Sequence, residues 1–207
     1  MKTEKTVPDF SLENKYRENG LKYICGVDEA GRGPLCGPVC AAAVILPENC
    51  EIEGINDSKK LSEKKREQLF EVIKEKAVCY GIAFATPSEI DEINILNASM
   101  LAMNRAVEQM SIVPDILLID GNCKKGIKYP CETVVKGDAK SVSIAAASIL
   151  AKVTRDRLLL ELDEKYPQYG LKQHKGYPTA AHIAAVKEYG VNEIYRKSFL
   201  KKILKDE

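Results

Sequence analysis

The sequence predicts an α/β fold, with helices layered on a mixed β-sheet. Two apolar runs of strand length come early in the chain, joined by a connection rich in Gly and Pro, which reads as a hairpin. Further along, short apolar runs alternate with segments of helical spacing, the pattern of strands returning to one sheet through helices. No internal repeat, low-complexity tract or linker-like stretch divides the 207 residues, so one domain over residues 1–207 is expected.

Residues 1–20 read as a short amphipathic lead-in. Tyr23 to Asp28 and Val39 to Leu46 are the hairpin strands, with the turn near Gly31 to Gly37. Asn56-Asp57-Ser58 leads into a helix with Ser62 as N-cap and Leu61, Leu69, Val72 and Ile73 at helical spacing. Val78 to Ala85 is a third strand, and Ser88 to Ile93 and Asn97 to Met110 are two helices. Pro114 introduces Asp115 to Asp120, a buried strand that ends on a carboxylate, and Glu132 to Val135 is a short strand. Ser141 to Tyr166 is a long Ala-rich helix, Thr179 to Tyr189 another, and Ser198 to Lys205 a last one, so residues 179–207 form a helical C-terminal part.

A net charge of +1 decides nothing about a polyanionic partner, because any basic surface must come from local segregation. The seven cysteines include no C-x-x-C pair, and His174 and His182 have no thiolate at ligand spacing, so neither a zinc site nor a disulfide framework is expected. Cys25, Cys36, Cys40 and Cys79 lie among Val, Ile and Ala, where a free thiol acts as a small hydrophobe. Residues 1–19 lack the apolar stretch of a signal peptide and no apolar run is long enough to span a bilayer, so a cytoplasmic location is expected.

Four carboxylates occupy unusual places. Asp28 and Glu29 end an apolar run, Asp120 closes another before Gly121, and Asp138 follows Gly137 between a strand and the long helix. An acid at the end of a buried strand is costly unless something pairs with it, and no basic residue adjoins Asp28 or Asp120. Hard divalent cations suit an all-carboxylate set, which points to Mg²⁺ or Mn²⁺; a surface or capping role is the competing explanation for any one of the four. Neighbours on a flat strand face opposite ways, so the strand is expected to end or bulge at Asp28-Glu29, with Gly31-Arg32-Gly33-Pro34 supplying the bend. A plain hairpin loop would explain these glycines equally well.

The stretch YICGVDEAGRGPLCGPVCAAAVIL resembles the signature of type 2 ribonucleases H, specifically bacterial ribonuclease HII. Further blocks resemble the family in the same order: Asn56 to Ser62, Ile119-Asp120-Gly121, Lys136-Gly137-Asp138, Ser143 to Val153, His174 to Thr179 and Arg196 to Phe199. The resemblance covers roughly residues 20 to 200. It implies an RNase H-like mixed sheet flanked by helices, and an enzyme that cuts the RNA strand of RNA/DNA hybrids and incises 5′ of single ribonucleotides in duplex DNA. The implied products carry a 3′-hydroxyl and a 5′-phosphate.

By matching positions, Asp28, Glu29, Asp120 and Asp138 become the catalytic, metal-binding tetrad for two Mn²⁺ or Mg²⁺ ions. Gly31, Arg32 and Gly33 become the backbone reader of the 2′-hydroxyl, and Tyr177 a ring against the neighbouring sugar. Lys59, near a helix start, is the expected phosphate contact, with Lys60 the alternative. Lys152 is a possible further phosphate contact, whereas Arg155 and Arg157 are expected to pair on the helix surface with Asp156 and Glu161, and Asp156 to be structural. The related ribonuclease HIII is disfavoured because only about twenty residues precede the first strand, and a non-catalytic binding module because all four acids are present. The tail FLKKILKDE lacks paired aromatics, so no sliding-clamp motif is expected, and a monomer is.

Overall fold

The computed structural model describes residues 7–201, 203 and 204. A five-stranded sheet forms its centre, built from β1 (Ile24–Ala30), β2 (Val39–Ile45), β3 (Cys79–Ala85), β4 (Ile116–Asp120) and β5 (Cys131–Val134) in the order β3-β2-β1-β4-β5. β1 and β2 are the expected antiparallel hairpin, and β3 adds antiparallel to β2. β4 lies parallel to β1 and β5 parallel to β4, so the sheet is mixed.

Both faces of the sheet are covered. Val39, Ala41, Ala43 and Ile45 of β2 pack with Ile90, Met103 and Val107 of helix α3 (Pro87–Glu108), whereas Cys40, Ala42 and Val44 pack with α2 (Glu63–Lys76) and α4 (Val142–Lys165). This is why β2 reads as a continuous apolar run: alternate residues enter different layers, and neither layer is wet. Gly26 lets α4 lie directly on β1, since a Cβ there would stand 2.1 Å from the carbonyl carbon of Ser143.

Ser62 and Ser141 cap α2 and α4 as their sequence positions suggest, each accepting from a backbone N–H three residues on. The two helices expected over 88–110 are two limbs of α3, broken at Asn94, whose φ of 65° is left-handed; its side chain accepts from the N–H groups of Leu96 and Asn97 and restarts the helix. In the lead-in, α1 (Ser11–Glu18) sends the buried Glu13 to the start of α4, where its carboxylate accepts from the Ser141 hydroxyl at 2.6 Å and the Ser143 N–H at 3.0 Å. Residues 1–6 of the lead-in lie outside the described residues.

The C-terminal part comprises α5 (Leu171–His174), α6 (Ala180–Tyr189) and α7 (Lys197–Leu200). It packs Tyr169, Leu171, Val186, Ile194 and Tyr195 against Leu159 of α4 and Leu35 and Cys36 of the β1–β2 connection. The last helix is shorter than expected, and Lys202 and residues 205–207 of the predicted span and tail lie outside the described residues. All seven cysteines are free thiols, with Cys25, Cys36, Cys40 and Cys79 buried. Among the described residues no helix is long and apolar enough to cross a membrane.

Candidate active site

Strand register places the first two acids. Parallel pairing of β1 with β4 runs to Val27↔Ile119, two residues that point into the α3 layer. The next residue on each strand, Asp28 and Asp120, therefore points to the α4 side, side by side at the carboxyl ends of adjacent parallel strands. Such ends are where open α/β sheets commonly bind ligands. Pairing of β1 with β2 continues regularly through Asp28↔Ala42, Glu29↔Ala41 and Ala30↔Cys40. The strand thus neither ends nor bulges at Asp28-Glu29, and the expected bend starts later, at Gly31. Glu29, the residue after Asp28, joins it in the lining of one cleft.

Asp138 comes from a short 3-10 turn, Gly137–Ala139, between β5 and α4. The Gly137 N–H donates to Asp120 Oδ1 at 2.6 Å, tying that turn to the β4 end. Gly137 sits in a crowded place, since a Cβ would lie 2.6 Å from Ile144 Cδ1 and force that side-chain end to shift.

The four acids share an electrostatic environment. Burial, then the charges of Glu29 and Asp120, push the Asp28 carboxyl well above the usual range. Burial likewise raises Glu29, against the Arg32 guanidinium 3.3 Å from its Oε1. Asp138 is raised to about 6 by burial, then by Asp120 and Asp57. Partial burial opposes the charge on Lys59, but Asp28, Asp138, Asp57 and Asp120 outweigh it and hold the ammonium above the ordinary lysine value. Excess negative charge at a buried strand end is the condition a divalent cation relieves.

Asp28, Glu29, Gly31, Arg32, Gly33, Lys59 and Tyr177 line one cleft of about 190 Å³, together with Ala30, Ser58, Ser148 and Lys152. Asp120 and Asp138 stand beside it, coupled to Asp28 by charge. A larger hollow of about 540 Å³ between residues 17–23 and 45–48 gathers none of the four acids. The donor set is carboxylate and hydroxyl oxygen, with no thiol or imidazole in the cleft, which fits Mg²⁺ or Mn²⁺ and not zinc. Among the described residues no three acidic, imidazole or thiol groups stand arranged so as already to hold an ion.

Two buried arginines form the underside of the Gly31–Pro38 loop. Arg196 donates to the carbonyls of Gly31 (2.7 Å), Arg32 (3.1 Å), Pro34 (2.8 Å) and Gly37 (2.9 Å). Arg155 donates to those of Cys36, Pro38 and Lys175 at 3.1–3.2 Å. In a trans peptide the N–H points opposite to the C=O, so the N–H groups of Arg32 and Gly33 face away from Arg196. Gly31 has φ +97°, and a Cβ there would stand 2.0 Å from Arg155 Nε. Gly33 has no such strain; the Tyr177 ring lies over it, Cε1 standing 3.4 Å from where a Cβ would be.

The expectation that Arg155 pairs on the helix surface is therefore corrected: it is buried, and its partners are loop carbonyls. Arg157 does pair at the surface, but with Glu67 and Glu71 of α2. Lys152 joins the cleft and pairs with the largely buried Asp156 at 2.7 Å. Sequence reasoning gave no role to Asp57, Ser58, Ser148 or Arg196. Asp57 accepts from the Lys59 N–H at 2.9 Å and faces Asp138; Ser148 of α4 hydrogen-bonds Ser58 at 2.6 Å, fixing the Lys59 turn. Asp57 and Arg196 both lie within matched blocks, which was the one signal available for them.

Comparison with known proteins agrees with this architecture. Residues 25–202 match the family model for ribonuclease HII. Ribonuclease HII of Clostridioides difficile is 55% identical over 193 residues, covering 93% of this chain and 76% of that protein. The crystal structure of ribonuclease H2 from Pyrococcus horikoshii OT3 superposes with a TM-score of 0.73 at 32% identity, covering 88% of this chain and 97% of that one. RNase HII in the PCNA:RNase HII complex from Archaeoglobus fulgidus superposes at 0.67 and 27% identity, over 85% and 94% of the two chains. The RNase H-like mixed sheet expected from the motifs is thus the fold found, and the chain belongs to the ribonuclease HII family of metal-dependent endoribonucleases that act on RNA/DNA.

Proposed function

We propose that this chain incises duplexes on the 5′ side of a ribonucleotide, either single in DNA or within the RNA strand of a hybrid, leaving a 3′-hydroxyl and a 5′-phosphate. The observation that carries this reading is that Asp28 and Glu29, the Gly31–Gly33 backbone and the Tyr177 ring open into the same cleft. Asp28, Glu29, Asp120 and Asp138 would hold two Mn²⁺ or Mg²⁺ ions, with Asp28 shared, Glu29 and Asp120 on one side and Asp138 on the other. When bound, such a pair activates the attacking water and stabilises the leaving oxygen of an in-line displacement.

The remaining work falls to the chain itself. Arg196 turns the loop carbonyls inward, so the Arg32 and Gly33 N–H groups are presented to a ribose 2′-hydroxyl without reorganisation. Tyr177, 45% exposed, offers a ring face to the adjoining sugar and favours a deoxyribose there. Lys59 and Lys152, both in the lining of the cleft, supply cationic groups for phosphates. We further infer one domain acting as a monomer in the reducing cytoplasm, a setting that fits seven free cysteines.

The test is incubation with a DNA duplex carrying one ribonucleotide, in Mn²⁺ and in EDTA, with both new ends sequenced. Metal-dependent incision 5′ of the ribonucleotide is expected. Retained binding without metal-dependent incision would mark a non-catalytic module and sink the reading.

A further inference from the structure

The only two histidines in the chain touch each other. The rings of His174 and His182 stack at 4.1 Å with 20° between their planes, behind the loop that carries Tyr177. Neither ring lines the acidic cleft.

Hydrogen bonding fixes both tautomers. The Gly176 N–H donates to His174 Nδ1 at 3.2 Å, so that nitrogen carries no proton and Nε2–H donates to the Tyr169 carbonyl at 2.9 Å. In His182, Nδ1 faces the Tyr177 carbonyl at 3.0 Å and must be the donor. Its Nε2 then accepts from the Tyr195 hydroxyl at 3.0 Å. Burial keeps His182 neutral, pulling its pKa down to about 4. Tyr195 packs edge-on to Tyr169 at 5.1 Å, which closes the circuit Tyr169–His174–His182–Tyr195. All four ring nitrogens are used, and two of them hold the residues on either side of the Gly176–Tyr177 peptide.

That peptide is a demanding one to hold. Lys175 and Gly176 are consecutive left-handed residues, at φ 50° and 83°. A non-glycine residue in that region costs about 1 kcal/mol, so something must over-determine it. The same loop meets the 2′-hydroxyl reader: the Leu35 N–H donates to the Gly176 carbonyl at 2.8 Å, and the Arg196 N–H to Leu35 at 2.9 Å.

We propose that the Tyr169–His174–His182–Tyr195 circuit is a positioning unit that fixes the Tyr177 ring over Gly33, so that both histidines act in substrate choice and not in bond cleavage. This rests on the reading of Tyr177 as a sugar contact. None of the four residues lines the cleft, and their link to it is through Tyr177, so loosening them should displace Tyr177 while the carboxylates stay in place. A displacement of about 1 Å can cost up to ~10²-fold in rate.

The experiment compares kcat/KM, in Mn²⁺, on a DNA duplex with one ribonucleotide and on an RNA/DNA hybrid, using the full chain. Tyr177→Ala is the reference and is expected to lose more on the single ribonucleotide than on the hybrid. His182→Ala should shift the ratio the same way, by about tenfold. His182→Asn should restore most of it, because the Asn amide N–H occupies the Nδ1 position and can still donate to the Tyr177 carbonyl. Tyr195→Phe, which removes one hydroxyl and leaves the packing, should give a smaller shift in the same direction and serves if His182→Ala fails to fold.

A split with Tyr177→Ala but equal losses on both substrates with His182→Ala and Tyr195→Phe overturns the proposal and leaves the Tyr177 reading standing. Absence of rescue by His182→Asn overturns it also. No split with Tyr177→Ala removes the reading, and the proposal with it.

Discussion

The acids of the cleft and the loops that face them are held by different means. Asp28 and Asp120 project from strands whose backbones are paired in register, so their places follow from main-chain hydrogen bonds any sequence could make. The Gly31–Pro38 and His174–Thr179 loops lie outside the sheet and combine scattered backbone hydrogen bonds with side-chain ones. Their carbonyls and turns are held in part by Arg155 and Arg196, which reach the Gly31–Pro38 loop from more than a hundred residues away, and by His174 and His182, which brace the Tyr177 loop locally. The groups proposed to hold metal thus sit on paired strands, while those proposed for recognition depend also on a few side chains behind the loops. Substitutions in the first region should remove chemistry and spare the fold, and those in the second should do the reverse.

Asp28→Asn carries the largest expected effect. Cleavage should fall about ten-thousandfold. In EDTA the variant should melt about 2–4 °C higher than the parent, because one of several buried like charges is gone. A lower melting temperature would mean that Asp28 serves the fold, and the contrast would collapse.

Arg196→Ala is the matching test of the loops. It leaves the carbonyls of Gly31, Arg32, Pro34 and Gly37 without their donor, and should cost about 3–5 kcal/mol in a urea titration. A midpoint within error of the parent would show that the loop holds itself.

Acidity should act on the acids and leave the loops alone. With a folded pKa of about 6 against an ordinary value of 3.8, Asp138 binds more protons folded than unfolded between those limits. Its contribution to metal-free stability is therefore full below the lower value and is lost as pH rises through the upper one. Mn²⁺ must displace that proton, so calorimetric affinity should drop by up to about tenfold per pH unit below pH 6. Affinity flat from pH 7 to 5 would take Asp138 out of the metal site.

The smallest effect lies outside both regions. Glu89 completes the α3 capping box and pairs with Arg105 at 2.6 Å, the guanidinium pulling its carboxyl to about 2. The stability it gives is present above its unfolded value and lost as pH falls through the folded one. Glu89→Ala should cost about 1 kcal/mol in a thermal melt and leave cleavage as it was. A change in cleavage would mean that the α3 face communicates with the cleft.

The same contrast governs what could be read from the sequence. β1, β2 and β4 were legible because runs buried on both faces contain almost nothing polar, and the acids stood out by ending them. Ser62, Ser141 and Thr179 announced their helices by local hydrogen bonding that needs only three residues of context. The register that brings Asp28 beside Asp120 is non-local, and sequence spacing suggested a bulge where the strand runs straight. Arg155 and Arg196 were illegible in themselves. Arginines are seldom fully buried, their acceptors are carbonyls that every residue has, and no periodicity marks a contact spanning more than a hundred positions. The family motifs named residues that the fold gathers around one cleft; what stands behind those residues needed coordinates.

Arg196 closes on Gly31 across 165 residues of chain. A ribosome makes the acids of β1, β4 and the Gly137 turn long before it makes the residue that shapes the reading loop. A nascent chain made only as far as Asp138 therefore carries every proposed ligand but has no formed surface with which to recognise a ribose. The Gly31–Pro38 loop therefore gains these hydrogen bonds only once the C-terminal part of the chain has been made.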